Sequence, residues 1–270
     1  MKRLIEIEWL KLKNYKVFWI LTILYAVVLT AVCSGGMLFL QYLANQGAEI
    51  RGIDPTILPL YDFPDVWQNI TYIATFLKII PAFIIIISIT NEYSYKTLRQ
   101  NIIDGMSKQD FILSKLLLIG IFAFLNTILL LVIGSTTGLI YSHVQGIDLM
   151  LEHTEFLLAY FLDLLTFFSF ALLVGLLLRK AGFAIILLGI YSLFVEPFLT
   201  IYLNFKFPDY SFYEFFPIRA INNLIRVPFP RYIFREIQDY VSFIDVFVVL
   251  AFLLFFISAS YFFLKKKDVG

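Results

Sequence analysis

Three ionisable residues, Lys78, Asp163 and Glu196, interrupt stretches of this 270-residue chain that are otherwise apolar. A charge at the centre of a membrane-crossing stretch costs about 2.5–3.5 kcal/mol on insertion scales, so buried ones are usually paired or functional. Two readings are open. All three residues lie toward the outer third of their stretches, where snorkelling to the interface is cheap. Alternatively, Lys78 and Asp163 form an ion pair between the second and fourth stretches, lining a translocation path or closing an outer gate with Glu196 nearby. Other chemistry is poorly supplied. There is no Gly-x-x-x-x-Gly-Lys-Ser/Thr phosphate loop, no Gly-x-Gly-x-x-Gly and no His-Glu-x-x-His. His143 and His153 are the two histidines, and a metal site with Glu152 or Glu155 rests on composition alone. The single Cys33 excludes an internal disulfide and a multi-cysteine metal site. Neither a catalytic centre nor a cofactor is expected on this chain.

The elements that must carry these residues are membrane helices. The chain is 60% hydrophobic, 18% aromatic and 15% charged, against about 45–50% apolar and 25% charged in soluble domains. Six apolar stretches, 17–43, 71–90, 116–141, 156–178, 182–203 and 241–264, approach or exceed the roughly 20 residues that cross a bilayer as a helix. The longest interval, 204–240, is short for an independent domain. The expectation is an all-α membrane protein: one six-span domain, without a soluble catalytic domain and without a nucleic-acid partner. A lipoprotein-type leader ending at Cys33 fits poorly, because Glu6 and Glu8 precede the first stretch and Val32 precedes the cysteine. Pro81 and Glu196-Pro197 are expected to disturb the second and fifth spans.

Basic residues mark cytoplasmic span ends. They cluster at Lys2, Arg3, Lys11, Lys13 and Lys16, at Lys96, Arg99, Lys108 and Lys115, at Arg179 and Lys180, and at Lys265, Lys266 and Lys267. The alternate side carries acidic loops with Glu49, Asp54, Asp62, Asp65, Asp148, Glu152 and Glu155. Both termini are therefore expected in the cytoplasm. Lys206, Arg219, Arg226, Arg231 and Arg235 run against the rule, partly matched by Asp209, Glu214, Glu236 and Asp239.

Three segments are not plain spans. Residues 4–16 read as an amphipathic interfacial helix, with Leu4, Ile5, Trp9, Leu12 and Tyr15 on one side and Glu8 intruding on that apolar side. Residues 91–110 read as a short helix on the cytoplasmic surface. Tyr95, Leu98 and Ile102 share one face, and Lys96, Gln100 and Asp104 lie opposite, with Arg99 on a flank. Gly105 stops that helix, and Ser107 with Asp110 caps the next. A solvated connector and a partner-binding surface are equally open for this segment. Residues 204–240 are aromatic and proline-rich, with Pro217 opening a helix to about Arg226 that is either partly re-entrant or interfacial at the outer leaflet.

The chain resembles the permease subunits of type-2 ABC exporters, the ABC-2 membrane proteins, over its full length. Glu92 at the end of span two, Thr97-Leu98-Arg99, the turn Gly105-Met106-Ser107-Lys108, and Lys115 opening span three carry the likeness most specifically. Lys96 stands where many members have Gly before the Thr, and Gly105-Met106 replaces a frequent Pro. Residues 217–225 are similar to the segment before the last span of some members. The resemblance implies one ABC-2-like domain over 1–270: interfacial helix 1–16, coupling helix 91–110 and outer segment 204–240. It implies that Glu92, Lys96, Thr97, Arg99, Gln100, Asp104, Ser107 and Lys108 form the surface that docks an ABC ATP-binding subunit, which alone holds ATP and Mg. It implies a second permease chain, identical or similar, in a bacterial plasma membrane. An export permease is the leading expectation, with an amphipathic, lipid-like or peptide cargo. The alternative is a non-transporting anchor that transmits ATPase strokes. An intramembrane enzyme would need polar reactive groups near the midplane.

Overall fold

In a computed structural model, the protein is described over residues 2–47, 58–144, 146–233 and 236–266. Glu49, Arg51, Asp54, Arg235 and Lys267, used above for orientation, lie outside the described residues. Among the described residues the chain is helical throughout, with no strands. The helices are α1 (Lys2–Lys13), α2 (Lys16–Ser34), α3 (Gly36–Asn45), α4 (Val66–Leu77), α5 (Ile79–Ser94), α6 (Thr97–Ile103), α7 (Lys108–Tyr141), α8 (Ile147–Leu151), α9 (Glu155–Leu178), α10 (Ala181–Ile190), α11 (Glu196–Lys206), α12 (Pro217–Asn223) and α13 (Phe243–Lys266). A π-helical turn, Tyr191–Val195, joins α10 to α11. Five helical segments are long and apolar enough to cross a membrane, and α4 with α5 makes a sixth when counted as one bent span.

Each irregularity has a local cause. The first span divides at Gly35, where the Tyr61 hydroxyl accepts from Gly36 N at 3.0 Å and donates to Cys33 O at 2.7 Å. A side chain inserted into a helical ladder is a recognised cause of a break. The second span bends by 43° at Lys78; Pro81, in the first turn of α5, has no N–H to give Leu77 O. Pro197 likewise has none for Leu193 O, and the chain widens into the π turn immediately before it. α7 starts as its cap requires, with Ser107 Oγ accepting from Asp110 N at 3.0 Å.

α9 is the axis of the bundle. Tyr160, Leu164, Phe168, Ala171 and Leu172 are fully buried, and α9 packs against α4, α5, α7, α10, α12 and α13. Glycines set the closest approaches. A Cβ at Gly134 or Gly138 of α7 would collide with Trp67 and Ile70 or with Phe63, and one at Gly175 of α9 with Ile89. Small residues at such spacing let membrane helices pack backbone to backbone. Large apolar side chains that remain exposed, such as Ile23, Phe183, Phe198, Phe247 and Phe255, stud α2, α10, α11 and α13. That pattern suits helices whose outer surface meets lipid rather than water.

Candidate functional site

The basic ends of the helices gather at one end of the bundle. Lys11 reaches Glu92, Lys108 Nζ donates to Lys265 O at 3.2 Å, and the Arg179 guanidinium lies 4.9 Å from the Tyr93 ring centre. α6 sits at this end. It is shorter than the helix expected over 91–110, because Lys96 adopts a left-handed conformation with φ of 56° and separates α5 from α6. Tyr95 therefore belongs to the end of α5 and is exposed, instead of sharing the buried face with Leu98 and Ile102. Leu98 alone is fully anchored in the core and Ile102 is half-buried. Lys96, Arg99, Gln100, Asp104 and Ser107 are exposed, with Gln100 Nε2 donating to Asp104 Oδ1 at 3.0 Å. Gly105, at φ 94°, turns the chain back toward α7.

Glu92 and Thr97 do not share that surface. Behind α6 is a buried ionic knot that ties four helices together. Lys115 of α7 donates to Glu8 Oε2 (2.7 Å), Ser88 Oγ (3.0 Å) and Glu92 Oε1 (2.9 Å). Lys11 of α1 also donates to Glu92 Oε1 at 2.7 Å, and Thr97 Oγ1 of α6 donates to Glu92 Oε2 at 2.5 Å. Ser114 completes the set, its one hydroxyl proton shared between Glu8 Oε1 at 3.0 Å and Phe111 O at 2.8 Å. Two carboxylates meet two ammonium groups, so the knot is neutral, and Glu8, Glu92 and Lys115 are each 2–3% exposed. A buried charge survives only when paired and hydrogen-bonded, and here every donor of Lys115 and every carboxylate oxygen has a partner. Sequence reasoning placed Lys115 at the start of a span and Glu8 on an apolar face without pairing them. The polar residue on that apolar face was the available signal. The apolar side of α1 itself divides, with Leu12 buried while Ile5 and Trp9 are exposed, and Tyr15 falls beyond the helix.

At the opposite end, Lys78 and Asp163 meet. Lys78 Nζ donates to Asp163 Oδ1 at 2.6 Å and to Asn222 Oδ1 at 3.1 Å, with side-chain exposures of 6% for Lys78 and 1% for Asp163. Neither snorkels. Glu196 is buried too, and its Oε1 accepts from Arg219 N at 2.7 Å in the first turn of α12. Arg219 Nε and Nη2 donate to the two oxygens of Glu214 at 2.9 and 3.1 Å. The Arg219 hydrogen bonds hold the Glu214 carboxyl below the usual range. α12 opens with Pro217 as expected and ends at Asn223, short of Arg226. His143 pairs with Asp62, and His153 lies 3.3 Å from Glu155 and 3.9 Å from Glu152. No group of three or more possible metal ligands occurs among the described residues.

Together these features define a polytopic all-α membrane protein with a polar surface helix braced from behind by a buried charge network. The model of a family described as ABC-2 family transporter protein matches residues 4–195, and the chain belongs to that family. No curated protein matches the sequence. The matched region holds the knot, α6 and the Lys78–Asp163 pair; α11, α12 and α13 lie beyond it.

Proposed function

We propose that the protein is the permease subunit of an ATP-driven exporter, with α6 as the element that receives the stroke of a separate ABC ATP-binding subunit. The observation that carries this reading is the division of labour at α6. One face exposes Lys96, Arg99, Gln100 and Asp104, and the other is tied through Leu98 and Thr97 to Glu92 and hence to α1, α5 and α7. A push on the exposed face reaches α5 through the Thr97–Glu92 bond, and α1 and α7 through the bonds of Glu92 to Lys11 and Lys115. The basic ends gathered on this side support a cytoplasmic orientation by the positive-inside tendency. ATP and Mg belong to the partner, and a second permease chain, identical or similar, completes the path across a bacterial plasma membrane. Glu92 and Thr97 act within this scheme as an internal brace, while Lys96, Arg99, Gln100, Asp104, Ser107 and Lys108 supply the docking surface.

The test is co-purification of the tagged chain with an ATP-binding subunit from its own host, beside Arg99→Glu. Arg99 is exposed, so its replacement should leave stability within about 0.5 kcal/mol. Losing a charge-assisted contact and adding a like-charge clash should lower partner recovery about tenfold or more. Equal recovery from both, or no ATPase from either, would overturn the assignment.

A further inference from the structure

We infer that a cavity at the end of the bundle opposite α6 binds an amphipathic anion: a carboxylate or phosphate head carried on an apolar chain. The cavity holds about 330 Å³ and lies between α4, the start of α5, the π turn and α12. Two helix irregularities border it. Lys78 and Ile79 line it at the 43° bend, and Ser192 and Leu193 line it from the π turn. Breaks of both kinds tend to occur where a helix has been shaped around a ligand.

The chemistry of the wall selects the class. Phe76, Phe167 and Leu193 give it apolar surface, and Lys78, Arg219 and Arg226 supply three cationic heads. Among the described residues no carboxylate lines it: Asp163, Glu214 and Asp245 pair with these cations, and Glu196 accepts from Arg219 N, without joining the lining. The wall is therefore rich in donors and poor in acceptors. Asn222 yields its oxygen to Lys78, leaving its amide nitrogen as a donor. Arg226 gives Nη1 to Asn223 at 3.0 Å and approaches Asp245 at 3.5 Å through Nη2. An apolar pocket with a few convergent polar groups is the usual form of a small-molecule site. A head group made only of acceptors suits a wall that presents three cationic side chains and the Asn222 amide nitrogen. As a cargo assignment this rests on the permease reading; as a binding site it stands without it.

The experiment is photolabelling of the full chain in phosphatidylcholine nanodiscs with a long-chain fatty acid bearing a diazirine, beside its methyl ester. No ATPase is needed, so failure here leaves the co-purification test untouched. The acid should label 72–79 and 217–227 about tenfold more than the ester, as expected when a charge-assisted hydrogen bond is gained. Arg226→Gln should remove most of that difference. Leu193→Trp alters no charge and sits at a half-exposed position, so it should fold, fill the cavity and cut labelling by a similar factor. Competition by dodecyl phosphate alone would indicate a free amphiphile; competition by phosphatidylglycerol would indicate a lipid head group; either upholds the shared chemistry. Equal labelling by acid and ester, or undiminished labelling of Leu193→Trp, would overturn the site.

Discussion

The knot behind α6 and the cluster around Lys78 both bury charge in an apolar bundle, but they satisfy it differently. In the knot behind α6, Lys115 has three partners, and both oxygens of Glu8 and of Glu92 are taken. At the opposite end, Asp163 Oδ2 and Arg226 Nε are buried without a hydrogen-bond partner among the described residues, and a cavity lies alongside. A saturated network has nothing left to offer a ligand and resists rearrangement; an unsaturated one retains hydrogen-bonding capacity. The difference separates a clamp, which holds α1, α5, α6 and α7 as one body, from a region suited to meeting something else.

The sharpest way to break this comparison is to remove the hub of the clamp. Lys115→Met strands the Glu8 and Glu92 carboxylates in the interior, and breaking a buried ion pair from one side costs about 3–5 kcal/mol. Unfolding by SDS titration should show a loss of that size. Neutralising the stranded groups as well, in Glu8→Gln/Glu92→Gln/Lys115→Met, should recover most of it, because Lys11 is partly exposed and tolerates losing its partner. A single-variant loss below about 1 kcal/mol would mean that water already reaches the knot.

A smaller effect is expected at the Lys78–Asp163 pair. Lys78→Met or Asp163→Leu should each cost about 3 kcal/mol, while Lys78→Met/Asp163→Leu should return to within about 1 kcal/mol of the parent, since apolar replacement of a buried pair is often neutral. The exchange Lys78→Asp/Asp163→Lys should likewise be more stable than either reversal alone. If the double variants are no better than the singles, the 2.6 Å contact does not couple the two residues.

What was legible in the sequence follows the range of the physics involved. The spans could be read from length and apolar content, and the bend of the second and the π turn of the fifth from Pro81 and Pro197, because both depend on neighbouring residues. The Ser107–Asp110 cap is equally local. The knot is not local: Glu8 and Lys115 are 107 positions apart, and which side of α5 Glu92 occupies depends on where α1 and α7 pack. From sequence Glu92 therefore reads as part of the polar surface of 91–110, whereas in the structure it is buried beneath α6. The helix over 91–110 was extended too far because Tyr95, Leu98 and Ile102 keep a helical period across a residue that is not helical. The one-residue left-handed break at Lys96 leaves no mark in hydrophobic spacing.

That break supplies the smallest effect and the finest adjustment of the α6 end. Lys96 follows the last turn of α5 in the left-handed conformation typical of a glycine after a helix, and its N–H donates to Tyr93 O at 3.2 Å. A side chain there carries a cost of about 1 kcal/mol that glycine avoids. Arg179 ends α9 with the same φ of 56°, but its guanidinium lies against the Tyr93 ring. The two positions should therefore respond with opposite signs. Lys96→Gly should stabilise the chain by about 0.5–1 kcal/mol, reduced somewhat by the added freedom of the unfolded state. Arg179→Gly relieves the same strain but forfeits a cation–π contact of about 0.5–2 kcal/mol, and should be neutral or destabilising. SDS-titration unfolding of the two variants in parallel decides it. A gain at Arg179 as large as that at Lys96 would show that the Tyr93 contact contributes nothing to holding α9 against α5.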